Sequence, residues 1–474
     1  MLTHTGKEFA KEWGFTYLDI DDVKPSEISM SESSQKLIEQ YRALLLHNNH
    51  LVISNSYQLE HLHDIFFLLG DTYAIVATDQ SKLDNKIAGL LHQQERDALN
   101  DDTSIVQYVK KLCLLAINKK ASDIHIETHD QTIVVRFRID GLLYDIEKLS
   151  YQFSSRIIAH LKILAQLDTT EKRLPQDGRI RLTVHQPNLD QQFIDCRIST
   201  CPTLHDEKIV LRLLNNNHHS LDMDALGLLP NQKNILLSFL NKPKGMMLVT
   251  GPTGSGKTVT LYTALNILNK PHLNILTVED PVEIDLQGVN QVQINHKIDL
   301  NFSKTLRSFL RQDPDIIMVG EMRDKETADI AIKASQTGHL VLSTLHTNSA
   351  VETLTRLINM GIPSYDIASS LSLIIAQRLV RKLCVHCKHK DTLSHFYTSV
   401  GCTYCQKGYD GRLGIYEFLI VTPQLAQFML KQHIPNILEL EQKARDEGMQ
   451  TLYENGLEKV KAGMTTLSEL SRVL

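Results

Sequence analysis

The hydrophobic positions of this chain change periodicity twice, and two polar runs mark the changes. Over residues 1–95, helical spacing at Gln35 to Leu46 and Leu59 to Leu69 alternates with short apolar runs at Leu51 to Ser54 and Thr72 to Thr78, which predicts a small α/β module. The polar stretch Gln93 to Thr103 reads as a linker. From 103 to 215 the period becomes two. Strands are expected at Ser122 to Glu127 and at Thr132 to Ile139, where Ile133, Val135, Phe137 and Ile139 alternate with Arg136 and Arg138. Asp140-Gly141 predicts a tight hairpin turn. A helix at Ser154 to Leu167 and strands at Arg179 to Val184, Phe193 to Ser199 and Lys208 to Leu214 complete an α+β unit. Asn215 to Asp222, dominated by Asn, His and Ser, reads as a second linker and as the hinge between the domains that flank it. In residues 223–474 the strands become continuous apolar runs at Met246 to Thr250, Ile275 to Val278, Ile316 to Val319 and Leu340 to Ser343, with helices between them. That pattern predicts a largely parallel sheet covered on both faces.

A chain of 474 residues exceeds what one hydrophobic core supports, consistent with about three domains. The formal net charge of −5 offers no broad attraction to nucleic acid or to an anionic membrane, and no nucleic-acid partner is expected. No run approaches the roughly 18 apolar residues that span a bilayer, and the first residues lack the apolar core of a secretory signal. A cytoplasmic location is expected. Three scattered cysteines, Cys113, Cys196 and Cys201, are expected to be buried thiols.

Candidate chemistry concentrates in the last domain. Gly251-Pro-Thr253-Gly254-Ser255-Gly256-Lys257-Thr258 is an unbroken phosphate loop, G-x-x-x-x-G-K-[ST], between an apolar run and a helical one. Its glycines let backbone amides crowd around an anion, Lys257 reaches the β- and γ-phosphates, and Thr258 holds Mg2+. The apolar run ending at Glu279 delivers a carboxylate to the carboxyl edge of the sheet, where it can orient or deprotonate water; a capping or surface acid is the alternative. Glu321 ends the next run and suits the magnesium shell, directly or through water. His339 and His346 bracket a further strand. Either can contact a γ-phosphate, and either can be structural. Arg307 and Arg311, four apart, share a helix face that points at the nucleotide, at a neighbouring subunit or at solvent. Cys384-Val-His-Cys387 and Cys402-Thr-Tyr-Cys405, fourteen residues apart, have the short bite and separation of a tetrahedral Zn2+ site.

Five strings are specific enough to carry a resemblance: Ala121-Ser-Asp-Ile-His-Ile, Arg173-Leu-Pro-Gln-Asp-Gly-Arg179, Thr277-Val-Glu-Asp-Pro-Val-Glu283, the segment Leu310 to Glu321, and the segment Thr337 to Asn348. From about Thr103 to Leu474 the chain resembles the type II secretion and type IV pilus ATPases, more the pilus-extension branch than the secretion branch. The resemblance implies a RecA-like P-loop ATPase domain over 223–474, carrying the cysteine element at 384–405. Before it would come an α+β, PAS-like subdomain over 103–215, and the small α/β module over 1–95 looks like a shortened version of a longer region. It implies ATP as substrate, Glu279 as catalytic base, Glu321 as the magnesium-linked acid, and His339 and His346 as paired histidines. It also implies a homo-hexamer in which Arg197 and Arg212 reach the nucleotide of an adjacent protomer. The motor would act on an inner-membrane platform protein, held at the cytoplasmic face of the bacterial inner membrane through its partners.

Overall fold

In a computed structural model that describes residues 6–98, 102–184, 192–214, 221–391, 396–431 and 436–474, the chain opens with a helix, Gly6–Trp13, and its first hundred residues contain four short strands. These are β1 (Thr16–Tyr17), β2 (Leu44–Leu45), β3 (His50–Ile53) and β4 (Ala74–Ala77), in the order β1-β4-β3-β2. Strands β1 and β3 run parallel to β4, and β2 is antiparallel to β3. Alternation along β3 divides the packing: Leu51 and Ile53 join one apolar cluster with Leu37 and Ile65, whereas Val52 joins another with Ile38, Leu83 and Ile87. These elements belong to a unit made of Met1–Leu115 and Ser150–Leu164; Ala116–Leu149 and Ala165–Leu474 form a second.

Local structure in the first unit departs from expectation in three places. The helix expected to reach Leu46 spans Glu32–Tyr41 and stops where Arg42 turns left-handed, at φ 55°, so that Leu44 and Leu45 become a strand. The stretch expected as a linker from Gln93 is helical as far as Ala98, within Gln80–Ala98, and another helix begins at Asp102. Its Gln, Glu, Arg and Ala are all good helix formers, and polarity alone mimicked a loop. The helix starting at Ser154 ends at Leu164, short of the expected Leu167, and Gln166 is left-handed at φ 57°. Most of the expected hinge, residues 215–220, lies outside the described residues.

The second unit contains two large sheets. The first is antiparallel at each of its recorded pairings: β5 (Ala121–Thr128), β6 (Thr132–Ile139), β7 (Leu142–Ser150), β8 (Gln176–Val184), β9 (Gln192–Pro202) and β10 (Glu207–Leu214), ordered β7-β6-β5-β10-β9-β8. Asp140 and Gly141 both adopt positive φ, which matches the expected hairpin turn. Ile133, Val135, Phe137 and Ile139 are buried, as their alternation requires.

The other sheet has seven strands, ordered β13-β12-β14-β15-β11-β16-β19: β11 (Gly245–Thr250), β12 (Ile275–Glu279), β13 (Asn290–Gln293), β14 (Ile316–Val319), β15 (Leu340–Leu345), β16 (Leu371–Leu383) and β19 (Tyr409–Ile420). β17 (His389–Lys390) and β18 (Tyr397–Thr398) form a separate ribbon. All pairings from β13 to β16 are parallel, and β19 closes the edge antiparallel to β16. Every residue of β11, β12, β14 and β15 is buried, because separate apolar clusters cover the two faces. Of the scattered cysteines, Cys113 and Cys196 are buried and Cys201 is exposed, contrary to expectation: it falls on an outward position near the end of β9.

Candidate active site

Because β11, β12, β14 and β15 are parallel, their carboxyl ends reach one edge of the sheet together, and the loops that follow share a single cavity there. After β11, Gly251, Gly254 and Gly256 take φ of 147°, 80° and 88°. At Gly251 a Cβ would stand 2.5 Å from the Gln377 carbonyl oxygen and 2.6 Å from Ser255 Oγ, so both conformation and space demand glycine. The helix Lys257–Leu268 starts from this loop and aims its free amides into it. Lys257 Nζ folds back to donate to the carbonyls of Gly251 (2.8 Å) and Pro252 (3.1 Å), and burial pushes its pKa down to about 8. Among the described residues the buried Ser255 hydroxyl finds no hydrogen-bond partner. A polyphosphate fits both observations, since it would give Lys257 an anionic acceptor and Ser255 a partner. The cavity holds about 450 Å³ and is lined by Thr253, Lys257, Thr258, Glu279, Glu321 and His346, among others.

The two expected acids arrive as the strands predict. Glu279, the last residue of β12, is buried; its Oε1 accepts from Thr277 Oγ1 (2.7 Å) and Gln291 Nε2 (3.0 Å), and its Oε2 from the Tyr262 hydroxyl. Glu321 follows β14 and pairs with Arg323 Nη2 at 2.5 Å and His346 Nε2 at 3.4 Å. Burial, and then the Lys257 cation, lower the His346 pKa, which favours neutral imidazole. Behind the loop, Thr250 Oγ1 meets Thr347 Oγ1 at 2.7 Å and accepts from the Thr347 amide, joining the ends of β11 and β15.

Other expected residues are not brought to this cavity. His339 precedes β15, so it lies at the amino edge, about 20 Å of strand away from His346. There its Nδ1 meets the Ala334 carbonyl at 2.8 Å, and its own carbonyl accepts from the Gly245 amide. One parallel strand cannot deliver residues from both its ends to one site. Arg307 pairs with Glu326 at 2.6 Å, and Arg311 lies past the helix Phe302–Phe309, so the expected shared helix face does not form. Arg311 Nη1 donates instead to the Arg307 carbonyl. Neither arginine lines the cavity. Arg212 is held by Asp123 at 3.0 Å. Arg197 stands 3.7 Å from Glu283 Oε1, and Glu283 is a wall of the cavity. Arg197 thus stands beside the cavity of its own chain.

Three partners escaped the sequence reading: Tyr262 and Gln291, which grip Glu279, and Arg323, which grips Glu321. Arg323 carried a signal, as a cation two residues beyond the strand-ending acid. Tyr262 sits on the loop helix facing the sheet, where an apolar neighbour is the default.

The four cysteines also converge. All four Sγ atoms lie within 4.8 Å of one another, with separations of 3.8 Å (Cys384 to Cys402), 3.7 Å (Cys387 to Cys405) and 3.6 Å (Cys402 to Cys405). Thiolates on a tetrahedral metal at about 2.3 Å would be spaced by about 3.8 Å, whereas disulfide sulfurs bond at about 2.05 Å. The donor set fits Zn2+.

Comparison with known proteins agrees with this geometry. The sequence pattern of the family described as "Type II/IV secretion system protein" matches residues 98–472. The type IV pilus assembly ATPase PilB of Pseudomonas aeruginosa is 43% identical over 511 residues, covering 98% of this chain and 89% of the relative. A putative type II secretion system protein E of Escherichia coli is 45% identical over 399 residues, covering 80% of this chain and 78% of the relative. Among solved structures, the pilus retraction motor PilT with bound ADP aligns at TM-score 0.51 and 25% identity, covering 77% of this chain and 96% of that one. The Legionella pneumophila ATPase DotB aligns at TM-score 0.59 and 23% identity, covering 77% and 94%, a likeness of fold.

Proposed function

The chain belongs to the type II/IV secretion system family, and from that premise we propose that it is the Mg-dependent ATPase motor of type IV pilus assembly. The observation that carries this reading is one cavity lined by the phosphate loop, Lys257, Thr258, Glu279 and Glu321. Lys257 and the loop amides hold the terminal phosphates of ATP. Thr258 and Glu321 would hold Mg2+, which supplies charge neutralisation at the β- and γ-phosphates. Glu279, fixed by three donors, orients the attacking water and takes its proton. Arg197 adds positive charge from beside Glu283.

In the same reading the three parts 1–95, 103–215 and 223–474 act as domains. Copies assemble as a homo-hexamer, and domain closure across 215–222 drives an inner-membrane platform protein. Among the described residues no helix is long and apolar enough to cross a membrane, in keeping with attachment to the inner face of the membrane through partners. Zinc at Cys384, Cys387, Cys402 and Cys405 closes the β16–β19 connection as a structural site; elemental analysis should return about one metal per chain.

The rival reading, a type II secretion motor, shares every catalytic position. The pilus reading is favoured because that match runs through nearly the whole chain, including its first hundred residues, whereas the secretion relative covers about four fifths of it. Deleting the gene separates them: loss of surface fibres with secreted enzymes intact supports pilus assembly, and the reverse supports secretion.

A further inference from the structure

Five side chains stand in one row across the antiparallel sheet. Register sets Arg138 of β6 opposite Asp123 of β5, Asp123 opposite Arg212 of β10, Arg212 opposite Arg197 of β9, and Arg197 opposite Arg179 of β8. Directly opposed residues share a face, so the row is four arginines and a single acid. Asp123 lies between two of them, 3.5 Å from Arg138 and 3.0 Å from Arg212. Among the described residues Arg197 has only the 3.7 Å approach of Glu283. Arg179 is exposed and has no side-chain ion pair or hydrogen bond among the described residues.

The neighbouring row shows what the same strands do when nothing else is required. Two residues on, and on the same face, Arg181 of β8 opposes Asp195 of β9 and binds it with two hydrogen bonds of 2.7 and 3.2 Å. Arg179 and Arg197, by contrast, put like charges directly opposite each other, which destabilises a sheet. Two guanidiniums also bring ten donors and no acceptor to one spot. An anion held between them removes both costs, and the Arg197 end of the row meets Glu283 at the wall of the nucleotide cavity.

We infer that Arg179 joins Arg197 as a ligand of the terminal phosphates of the bound nucleoside triphosphate, a role that rests on the ATPase reading above. Opposed residues are separated by about 5 Å at Cα, well within the length of an arginine side chain, so both forks can meet one phosphate group. Lys257 and the phosphate loop hold the nucleotide from the opposite side.

The test uses the full chain with magnesium and compares binding of ADP with binding of a non-hydrolysable ATP analogue, by competition against a fluorescent nucleotide. Arg179→Ala should weaken the ATP analogue about tenfold while ADP changes less than about twofold, and Arg179→Lys should recover part of the loss. Arg181→Ala should leave both affinities unchanged. Nucleotide-free Arg179→Ala should melt no lower than wild type at low salt, since it relieves a repulsion; a structural arginine would lower the melting temperature. Unchanged affinity for the analogue, or a matched loss for ADP and analogue, overturns the inference. A wild-type chain that binds neither nucleotide brings down the ATPase reading as well, which separates the two failures.

Discussion

The two edges of the seven-stranded sheet carry similar residue types and do different things. At the carboxyl edge, Lys257, Glu279, Glu321, Arg323 and His346 line one cavity, where Glu321 pairs with both Arg323 and His346. At the amino edge, His339, Lys242 and Lys270 line another cavity of about 410 Å³, but there His339 meets the Ala334 carbonyl and the Thr337 hydroxyl, and among the described residues no acid pairs with it. A single strand, β15, delivers one histidine to each edge. In a parallel sheet the position along the strand decides the chemistry, because all carboxyl ends, with the helix amino termini that follow them, point the same way.

Substitutions at the two edges should therefore differ in proportion. Glu321→Gln should lower steady-state phosphate release at least a hundredfold, because it removes the charge expected to sit in the magnesium shell; a loss under tenfold would move the chemistry elsewhere. His346→Ala should cost about tenfold through the lost contact to Glu321, whereas His339→Ala, measured alongside, should stay within about twofold. Equal losses would erase the distinction between the edges.

Proton linkage gives a smaller signal that belongs to the carboxyl edge. Burial lowers Lys257 from its ordinary 10.5 to about 8, and phosphates favour the charged amine, so binding raises that pKa again. Calorimetry in buffers of different ionisation enthalpy should show proton uptake on nucleotide binding at pH 8 to 9, absent in Lys257→Ala, with affinity falling as pH rises past about 8. The unfolded chain keeps this proton up to about 10.5. The same lysine therefore makes the nucleotide-free fold gain stability as pH climbs from about 8 toward 10.5. Smallest of all, Tyr262→Phe should reduce turnover several-fold by freeing one oxygen of Glu279 while leaving nucleotide affinity near wild type.

What could be read from sequence follows the same division. The central strands β11, β12, β14 and β15 were legible because burial on both faces leaves continuous apolar runs, and the acids that end them mark the functional edge. Strand β16 was not legible. Its thirteen residues carry Gln377, Arg378 and Arg381, of which Gln377 holds Thr260 of the loop helix and Arg381 is clamped by Glu469; such polar positions break a strand pattern that is in fact core. His339 was misplaced because the spacing of two histidines around an apolar run does not say that they end on opposite sides of the sheet. Arg197 and Arg212 of the antiparallel sheet were found only through resemblance, because their alignment into a row depends on register between strands far apart in sequence.

The most direct test of the account is a structure of the chain with magnesium and a non-hydrolysable ATP analogue. The account predicts triphosphate in the loop between Lys257 and Glu321, the metal beside Thr258, and Arg197 drawn toward the terminal phosphate. A triphosphate bound at the His339 edge, or one that leaves Lys257 on the Gly251 and Pro252 carbonyls, would contradict it.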